Sequence, residues 1–173
     1  MKTDVKVIEF LEHSNWIENV HDEDSLRQAM KAWIYLASKK KLTHYIVKKV
    51  HSMLMVNQDL EEADKGRYRL YQVGINTPTG FIEKMRWEKI PTEMDRWLEM
   101  VNGTKHVANS PSTVEDFIKS CHIIYENIHP FADGNGRTGR MFLNWQRIQI
   151  GLPILTIRLE ERWEYYKWFE EER

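Results

Sequence analysis

The 173-residue sequence has a single cysteine and no long hydrophobic run, and each shortage excludes a class of protein. With Cys121 alone, no disulfide forms within the chain, which excludes a disulfide-stabilised secreted fold. No run of about 18 apolar residues occurs, and the first residues lack the apolar segment of a signal peptide. The formal net charge of -1 gives no general attraction to nucleic acid. We therefore expect a cytoplasmic protein that binds neither nucleic acid nor membranes.

The composition and the spacing of apolar residues predict one mainly α-helical domain over residues 1–173. Hydrophobic residues make up 42% and charged residues 29%, as in ordinary globular domains. Apolar residues recur at helical intervals through most of the chain, whereas β-forming residues are concentrated between Gly66 and Phe81. We therefore predict a helical bundle with one small β-hairpin within residues 66–85, a segment called the flap below. The predicted helices cover residues 4–20, 23–38, 43–54, 91–103, 112–128, a segment that follows the next glycines and ends at Gly151, and 160–170.

Three of the eight glycines fall in one short segment, HPFADGNGRTGR, at residues 129–140. The spacing of Gly134, Gly136 and Gly139 also satisfies the dinucleotide-binding pattern G-x-G-x-x-G. That pattern requires a strand directly before it, but residues 112–128 have helical periodicity and the chain does not alternate strands with helices. The sequence therefore predicts a helix, a glycine-rich loop and a second helix, and it excludes a dinucleotide-binding fold.

The start of that second helix has the composition of a phosphate site. Backbone N–H groups at a helix N-terminus lack partners and favour anions, and glycine lets a phosphate approach the backbone closely. Arg137 and Arg140 lie near one face of the first turn, and guanidinium groups bind phosphate oxygens through paired hydrogen bonds. Asp133 is a suitable ligand for Mg²⁺ beside a phosphate. His129 titrates near neutral pH and is a candidate general base.

The whole segment matches HPFx[DE]GNGRxxR, and in this the sequence resembles the Fic family. The resemblance extends to LTHYIVKKVHSMLM at residues 42–55, to GRYRLYQVGIN in the flap and to the segment after the motif. It implies the Fic fold, Mg²⁺ as cofactor, and transfer of AMP from ATP to a Ser, Thr or Tyr hydroxyl of a protein. Since the related Doc kinases alter the glycine-rich part of the motif, the intact GNGR favours nucleotidyl transfer over phosphorylation.

The resemblance also implies a role for each motif residue. These roles are general base for His129, Mg²⁺ ligand for Asp133, anion hole for Asn135 with the backbone of Gly134 and Gly136, and β- and γ-phosphate ligands for Arg137 and Arg140. Phe131 is interpreted as an anchor that fixes the loop in the core.

The flap resembles the part of the family fold that receives the target protein. An exposed β-edge pairs with an extended target segment through backbone hydrogen bonds. The residues expected to provide this edge are Gln72, Val73, Gly74 and Ile75. Without the motif, a hairpin with no binding role would explain the same pattern.

A second motif, SNWIEN, runs from Ser14 to Asn19 and matches the family's inhibitory pattern [ST]xxxE[GN]. In the family this glutamate, here Glu18, pairs with the last arginine of the motif, here Arg140, and blocks the γ-phosphate. The resemblance therefore implies that residues 4–20 form an inhibitory helix of the N-terminally inhibited class. The alternative is an amphipathic surface helix with Glu18 in solvent.

Two alternatives to AMP transfer stay open at this stage. The same site would remove AMP if Glu18 orients a water, as a glutamate does in some members of the family. A catalytically idle nucleotide-binding regulator or toxin–antitoxin partner is the other alternative, although binding alone requires neither His129 nor Asp133. Tyr165 and Tyr166 resemble aromatic residues near the family's adenine site, but core packing explains them equally well. The target protein, the nucleotide base and a homo-oligomeric state cannot be read from the sequence.

Overall fold

The computed structural model describes residues 4–77, 80–106 and 111–169, and these are mainly α-helical, as predicted. In chain order the helices and strands of these residues are α1 (Val5–Ile17), α2 (Glu23–Ala37), α3 (His44–Leu54), β1 (Gly74–Thr77), β2 (Gly80–Glu83), α4 (Ile90–Asn102), α5 (Pro111–Ile128), α6 (Asn135–Gln149) and α7 (Arg162–Lys167). Among the described helices, none has the length and apolar character needed to cross a membrane.

Side-chain caps and proline define where several helices begin. The carboxylate of Asp22 accepts a hydrogen bond from the backbone N–H of Ser25 at 2.7 Å, which starts α2. The hydroxyl of Thr43 accepts one from the N–H of Ile46 at 3.3 Å and caps α3, close to the start of the helix predicted over residues 43–54. Pro91 lies in the first turn of α4, where a missing N–H costs no helical hydrogen bond. These local signals explain why the predicted and observed helices start close to the same residues.

The core lies around α6, which packs against α1, α2, α3 and α5. Nearly every residue of α6 is buried, although the helix contains Arg137, Arg140 and Asn144. Burying such groups costs free energy unless they are hydrogen-bonded, so a polar helix in the centre of a domain indicates a functional site. Cys121 and Tyr125 on α5 belong to the apolar core, as their helical spacing predicts.

The β-hairpin lies within residues 66–85, and its strands begin only at Gly74. Among the described residues only β1 and β2 pair as strands, in antiparallel register with Ile75 opposite Ile82, while residues 66–73 form turns and extended backbone. The physical reason is that the backbone of this first part bonds elsewhere: the N–H of Arg69 donates to the carbonyl of Pro130 at 3.0 Å. The predicted turn at the tip lies partly outside the described residues. The fold therefore ties the root of the flap to the glycine-rich loop.

Both terminal helices are shorter than predicted. α1 ends at Ile17, so Glu18 follows the helix instead of lying within it. α7 begins at Arg162 after a short 3-10 turn, Leu159–Glu161, and the end of the predicted helix at Glu170 lies outside the described residues.

Candidate active site

A tight loop from His129 to Gly134 joins α5 to α6. The φ angle of His129 is 51°, a left-handed conformation that ends α5 and strains a non-glycine residue by about 1–3 kcal/mol. The φ angle of Gly134 is 74°, and a side chain at that position would lie 2.7 Å from the sulfur of Met55. Glycine is therefore required there by both conformation and space. Strained backbone of this kind persists only where the surrounding structure holds it in place.

Phe131 and Asn135 hold this loop. The ring of Phe131 is fully buried and stacks on His51 at a centroid distance of 3.8 Å, which fits its interpretation as an anchor. The side chain of Asn135 accepts a hydrogen bond from the N–H of Phe131 and donates one to its carbonyl, both at 2.9 Å. One of the two N–H bonds of this amide is used within the loop, and the backbone N–H groups of the first turn of α6 are further donors for an anion. Gly134, the N-cap, makes no side-chain hydrogen bond to them.

A buried histidine of α3, His51, supports the loop from the other side. Its Nδ1 accepts a hydrogen bond from the N–H of Gly66 at 2.9 Å, so Nε2 carries the proton and donates to the carbonyl of Asp133 at 2.9 Å. Burial lowers the pKa of His51 to about 4, which keeps the ring neutral and preserves this tautomer. His51 thereby fixes the backbone at the point where the loop becomes α6.

The imidazole of His129 is half-buried and held in its neutral form. Burial lowers its pKa to about 4, and the positive charges of Lys84 and Arg69 shift it in the same direction. The carbonyl of Glu126 opposes this shift, although Nδ1 of His129 has no hydrogen-bond partner among the described residues. At neutral pH the ring therefore carries the lone pair that a general base requires. Since Nδ1 is buried, Nε2 is the candidate to accept a proton from a substrate.

The carboxylate of Glu18 covers the N-terminal turn of α6. A side chain at Gly136 would collide with this carboxylate and would lie 3.0 Å from Nη1 of Arg140. Nη2 of Arg140 donates to Oε1 of Glu18 at 2.8 Å, and the two side chains are 3% and 37% exposed. The carboxylate thus lies where unpaired N–H groups and the helix dipole favour negative charge. Glu18 pairs with the arginine that was expected to be its partner.

Each fixed position of SNWIEN has a physical reason in the structure. Nε of Arg140 donates to the hydroxyl of Ser14, and Nη2 donates to the carbonyl of the same residue, both at 2.9 Å. Asn19 has a left-handed φ of 58°, just after the helix, where glycine and asparagine are favoured. Ser14 therefore binds the arginine, while Asn19 turns the chain and leaves Glu18 over α6.

Arg140 remains cationic although it is buried. Burial opposes its charge, but Tyr165 and Glu18 outweigh that effect and raise its pKa above the ordinary value. Nη1 of Arg140 lies 3.4 Å from the hydroxyl of Tyr165, which bonds in turn to Nε2 of His122 at 2.8 Å. Tyr165 is 4% exposed and therefore packs in the core beneath Arg140, whereas Tyr166 is only half-buried.

Arg137 and Asp133 provide the remaining charges at the start of α6. Arg137 is 3% exposed; it donates to Oε1 of Gln58 at 2.7 Å and to the sulfur of Met55 at 3.4 Å. The side chain of Asp133 is 61% exposed and lies 3.5 Å from Arg137. A solvent-facing carboxylate beside an anion site fits Mg²⁺, which binds one or two carboxylates together with phosphate oxygens and water. The described residues contain no cluster of three or more acidic, histidine or cysteine side chains that would hold a metal alone.

The flap residues expected to dock the target lie at its root and at the start of its first strand: Gln72, Val73, Gly74 and Ile75. The N–H of Lys84 donates to the carbonyl of Val73 at 3.0 Å, and Nε2 of Gln72 donates to the carbonyl of Lys84 at 2.6 Å. These bonds close the root of the hairpin below β1 and β2. A side chain at Gly74 would collide with the exposed ring of Phe81, so this glycine serves the packing of the hairpin.

Two buried titratable groups lie beside Arg140. Glu126 is 8% exposed, its Oε1 has no hydrogen-bond partner among the described residues, and a side chain at Gly139 would collide with it. Burial raises the pKa of Glu126 to about 7 and lowers that of His122 to about 3. At neutral pH His122 is therefore uncharged, and the carboxyl of Glu126 is protonated in part of the molecules and ionised in the rest.

Three supporting residues, His51, Arg69 and Glu126, were not predicted from the sequence. His51 and Arg69 carry no local signal, because their partners are backbone groups far along the chain. Glu126 lies three residues before His129, and therefore near the same face of α5, so an acid at that position was a signal that could have been used.

Comparison with known proteins agrees with this geometry. The model of the Fic/DOC family matches residues 41–146, more than half of the chain. Protein adenylyltransferase fic-1 of Caenorhabditis elegans is 31% identical over 119 residues, which are 68% of this chain and 21% of that protein. Protein adenylyltransferase Fic of Nematostella vectensis is 27% identical over 110 residues, 62% of this chain and 24% of that protein. The chain thus spans about a quarter or less of the length of these relatives.

Solved structures share the fold. A Fic domain containing signaling protein from Bacteroides thetaiotaomicron superposes with a TM-score of 0.79 at 19% identity, over 92% of this chain and 69% of that one. Fic-1 of Caenorhabditis elegans gives the same TM-score and identity over 98% of this chain and 56% of that one. With the loop, the start of α6 and the flap all inside the matched residues, the chain belongs to the Fic/DOC family.

Proposed function

We propose that this chain transfers AMP from ATP to a Ser, Thr or Tyr hydroxyl of a target protein, and that Glu18 restrains the reaction. The observation that carries the proposal is a neutral, half-buried His129 five residues before the glycine-lined N-terminus of α6. A base next to an anion site suits attack of a hydroxyl on a phosphate. The relatives named protein adenylyltransferases support the same chemistry.

His129 acts as the general base in this proposal. The target hydroxyl gives its proton to Nε2 of His129 while its oxygen forms a bond to the α-phosphorus of ATP. The bond from that phosphorus to the oxygen bridging to the β-phosphate breaks, and pyrophosphate leaves with the electron pair. A pKa of about 4 makes His129 a weak base in the free protein. The negative charge of a bound triphosphate raises that pKa, so the base becomes stronger once ATP is in place.

The start of α6 holds the phosphates in the proposed complex. Its backbone N–H groups and the guanidinium groups of Arg137 and Arg140 supply donors and positive charge. Asp133 would hold Mg²⁺, which supplies further positive charge against the phosphate oxygens when bound. Asn135 contributes by keeping the loop in shape, through its two bonds to Phe131.

Inhibition follows in this proposal from the position of Glu18. Its carboxylate lies on the first turn of α6 and forms an ion pair with Arg140, the expected ligand of the γ-phosphate. ATP must displace this ion pair or bind with its γ-phosphate misplaced. A misplaced γ-phosphate also moves the α-phosphate away from the line of attack, and misalignment of about 1 Å costs on the order of 100-fold in rate.

Removal of AMP is a second candidate function, and the exposure of Glu18 favours it. Only Oε1 bonds to Arg140, and the side chain is 37% exposed, so the carboxylate has room to orient a water molecule. The test is to incubate an AMP-modified target with wild type and with Glu18→Gly. Release of AMP by wild type but not by the variant supports removal; equal release by both, or by neither, excludes this role of Glu18.

ATP labelled at different phosphates tests the transfer. Glu18→Gly is incubated with lysate, Mg²⁺ and ATP that carries the label on either the α- or the γ-phosphate. The control is the double variant, which has both Glu18→Gly and His129→Ala. We expect α-labelled bands that are absent with the double variant, and no γ-labelled band beyond those that the kinases of the lysate give with the double variant. Bands with the γ-label that the double variant does not give would indicate a kinase. ATP binding without any labelled band beyond those of the double variant would indicate the idle regulator.

A further inference from the structure

Arg69, at the root of the flap, binds backbone carbonyls on two parts of the fold. Its side chain is 1% exposed and donates four hydrogen bonds. They join Nε to the carbonyl of His129 at 2.8 Å, Nη1 to that of Tyr71 at 2.8 Å, and Nη2 to those of Met85 at 2.5 Å and Ile128 at 3.3 Å. The carbonyls of Ile128 and His129 lie at the end of α5 and at the start of the loop of residues 129–134, called the catalytic loop below. The carbonyls of Tyr71 and Met85 lie on the two sides of the hairpin.

The partners of Arg69 suggest a geometric role. They are carbonyl oxygens, and no carboxylate of the described residues pairs with this buried cation. Burial accordingly lowers its pKa. The partial negative charge at the C-terminal end of α5 favours a cation, but a lysine would meet that need equally well. What only arginine provides is a planar fork of donors that reaches several carbonyls at fixed angles.

We propose that Arg69 is a positioning residue that sets the distance between the flap and His129, and so determines where the hydroxyl of a docked target lies. The inference rests on the proposed AMP transfer. The backbone of Arg69 adds a further tie, because its N–H donates to the carbonyl of Pro130 at 3.0 Å. One residue thus binds the catalytic loop through both its main chain and its side chain.

In this arrangement a change at Arg69 should affect the position of the target and not that of the nucleotide. The flap is the expected docking edge for the target, whereas the phosphates are expected at α6. Loss of the fork should therefore displace the target hydroxyl from His129 and leave the nucleotide where it was. A displacement of about 1 Å reduces the rate on the order of 100-fold.

The test compares Arg69→Lys with Arg67→Lys, both in the full chain with Glu18→Gly. Lysine at position 69 keeps the charge and loses the fork, while Arg67 is an exposed arginine two residues away and serves as the matched control. ATP affinity in Mg²⁺ is measured by calorimetry, and the labelling rate with α-labelled ATP. We expect Arg69→Lys to bind ATP as Arg67→Lys does and to label about 100-fold more slowly. Equal labelling by the two variants, or an equal loss of ATP affinity and rate in Arg69→Lys, would overturn the proposal.

Hydrogen exchange of the backbone N–H groups in the wild-type protein provides a readout that requires neither activity nor a variant that folds. If Arg69 fixes the root of the flap, the N–H groups of Lys84 and Arg69 should open together with that of His129, and more slowly than those of β1 and β2. Exchange of the root together with the two strands would contradict the proposal. If no variant labels any protein, the transfer proposal fails, and hydrogen exchange still decides whether Arg69 couples the two segments.

Discussion

Replacing Glu18 with glycine should increase both ATP affinity and labelling. In the structure, Oε1 of Glu18 is 2.8 Å from Nη2 of Arg140, and the carboxylate lies against Gly136 on the first turn of α6. A γ-phosphate that uses the same arginine must first displace this carboxylate. Glycine at position 18 removes the competitor without disturbing α1, because the helix ends at Ile17.

The magnitude follows from the exposure of the pair. A hydrogen bond to a charged group contributes about 1.5–3 kcal/mol, and the 37% exposure of Glu18 favours the lower end because solvent screens the charge. Since about 1.4 kcal/mol corresponds to tenfold, we expect about a tenfold gain in ATP affinity. Correct alignment of the α-phosphate should raise the rate further, on the order of 100-fold. ADP affinity should change less, since ADP has no γ-phosphate.

The assay is calorimetry with ATP and ADP, together with the rate of labelling from α-labelled ATP. Glu12→Ala, in α1, keeps the helix and controls for the loss of a negative charge near the N-terminus. Arg140→Ala should not reproduce the gain, because it removes the inhibitory partner and a phosphate ligand together. The reasoning is refuted if Glu18→Gly binds ATP and labels proteins no better than Glu12→Ala.

The remaining predictions concern the loop and the buried carboxyl. His129→Ala should abolish labelling and leave ATP affinity nearly unchanged, whereas Asp133→Ala should weaken Mg²⁺-dependent ATP binding as well; calorimetry with and without Mg²⁺ separates the two. Because the pKa of His129 is about 4, kcat/KM for labelling should stay level as pH falls through 6.5, and a decline centred there would contradict a buried neutral base. The pKa of Glu126 is raised from 4.5 to about 7, so its contribution to stability is full below pH 4.5 and is lost as pH rises through 7. Denaturant unfolding of Glu126→Gln should lack this loss, and an unchanged pH dependence would exclude the buried carboxyl as its source.

The residues of the loop could be singled out because they are close in the sequence. His129, Asp133 and Arg140 fall within twelve residues, between two segments with clear helical periodicity. Glycines at the start of the second helix are the basis on which an anion site is predicted there, and that site stays a prediction. The mainly helical fold followed from the same periodicity, and it is confirmed.

Contacts between distant residues could not be derived from periodicity. Arg69 is 60 positions from His129, and its partners are carbonyl groups, which any residue possesses. The pairing of Glu18 with Arg140, 122 positions apart, was expected only because a short motif resembled a known one. Where the strands begin within residues 66–85 could not be predicted, because β-forming residues do not reveal that the backbone N–H of Arg69 bonds to the carbonyl of Pro130.

Mass spectrometry of the modified protein tests the central claim most directly. Glu18→Gly is incubated with ATP, Mg²⁺ and a protein that it labels, and the adduct is identified and located in the target. We predict one AMP group on a Ser, Thr or Tyr hydroxyl of the target. The double variant with Glu18→Gly and His129→Ala should give no such adduct. A phosphate adduct, or an AMP adduct that persists without His129, would contradict the central claim.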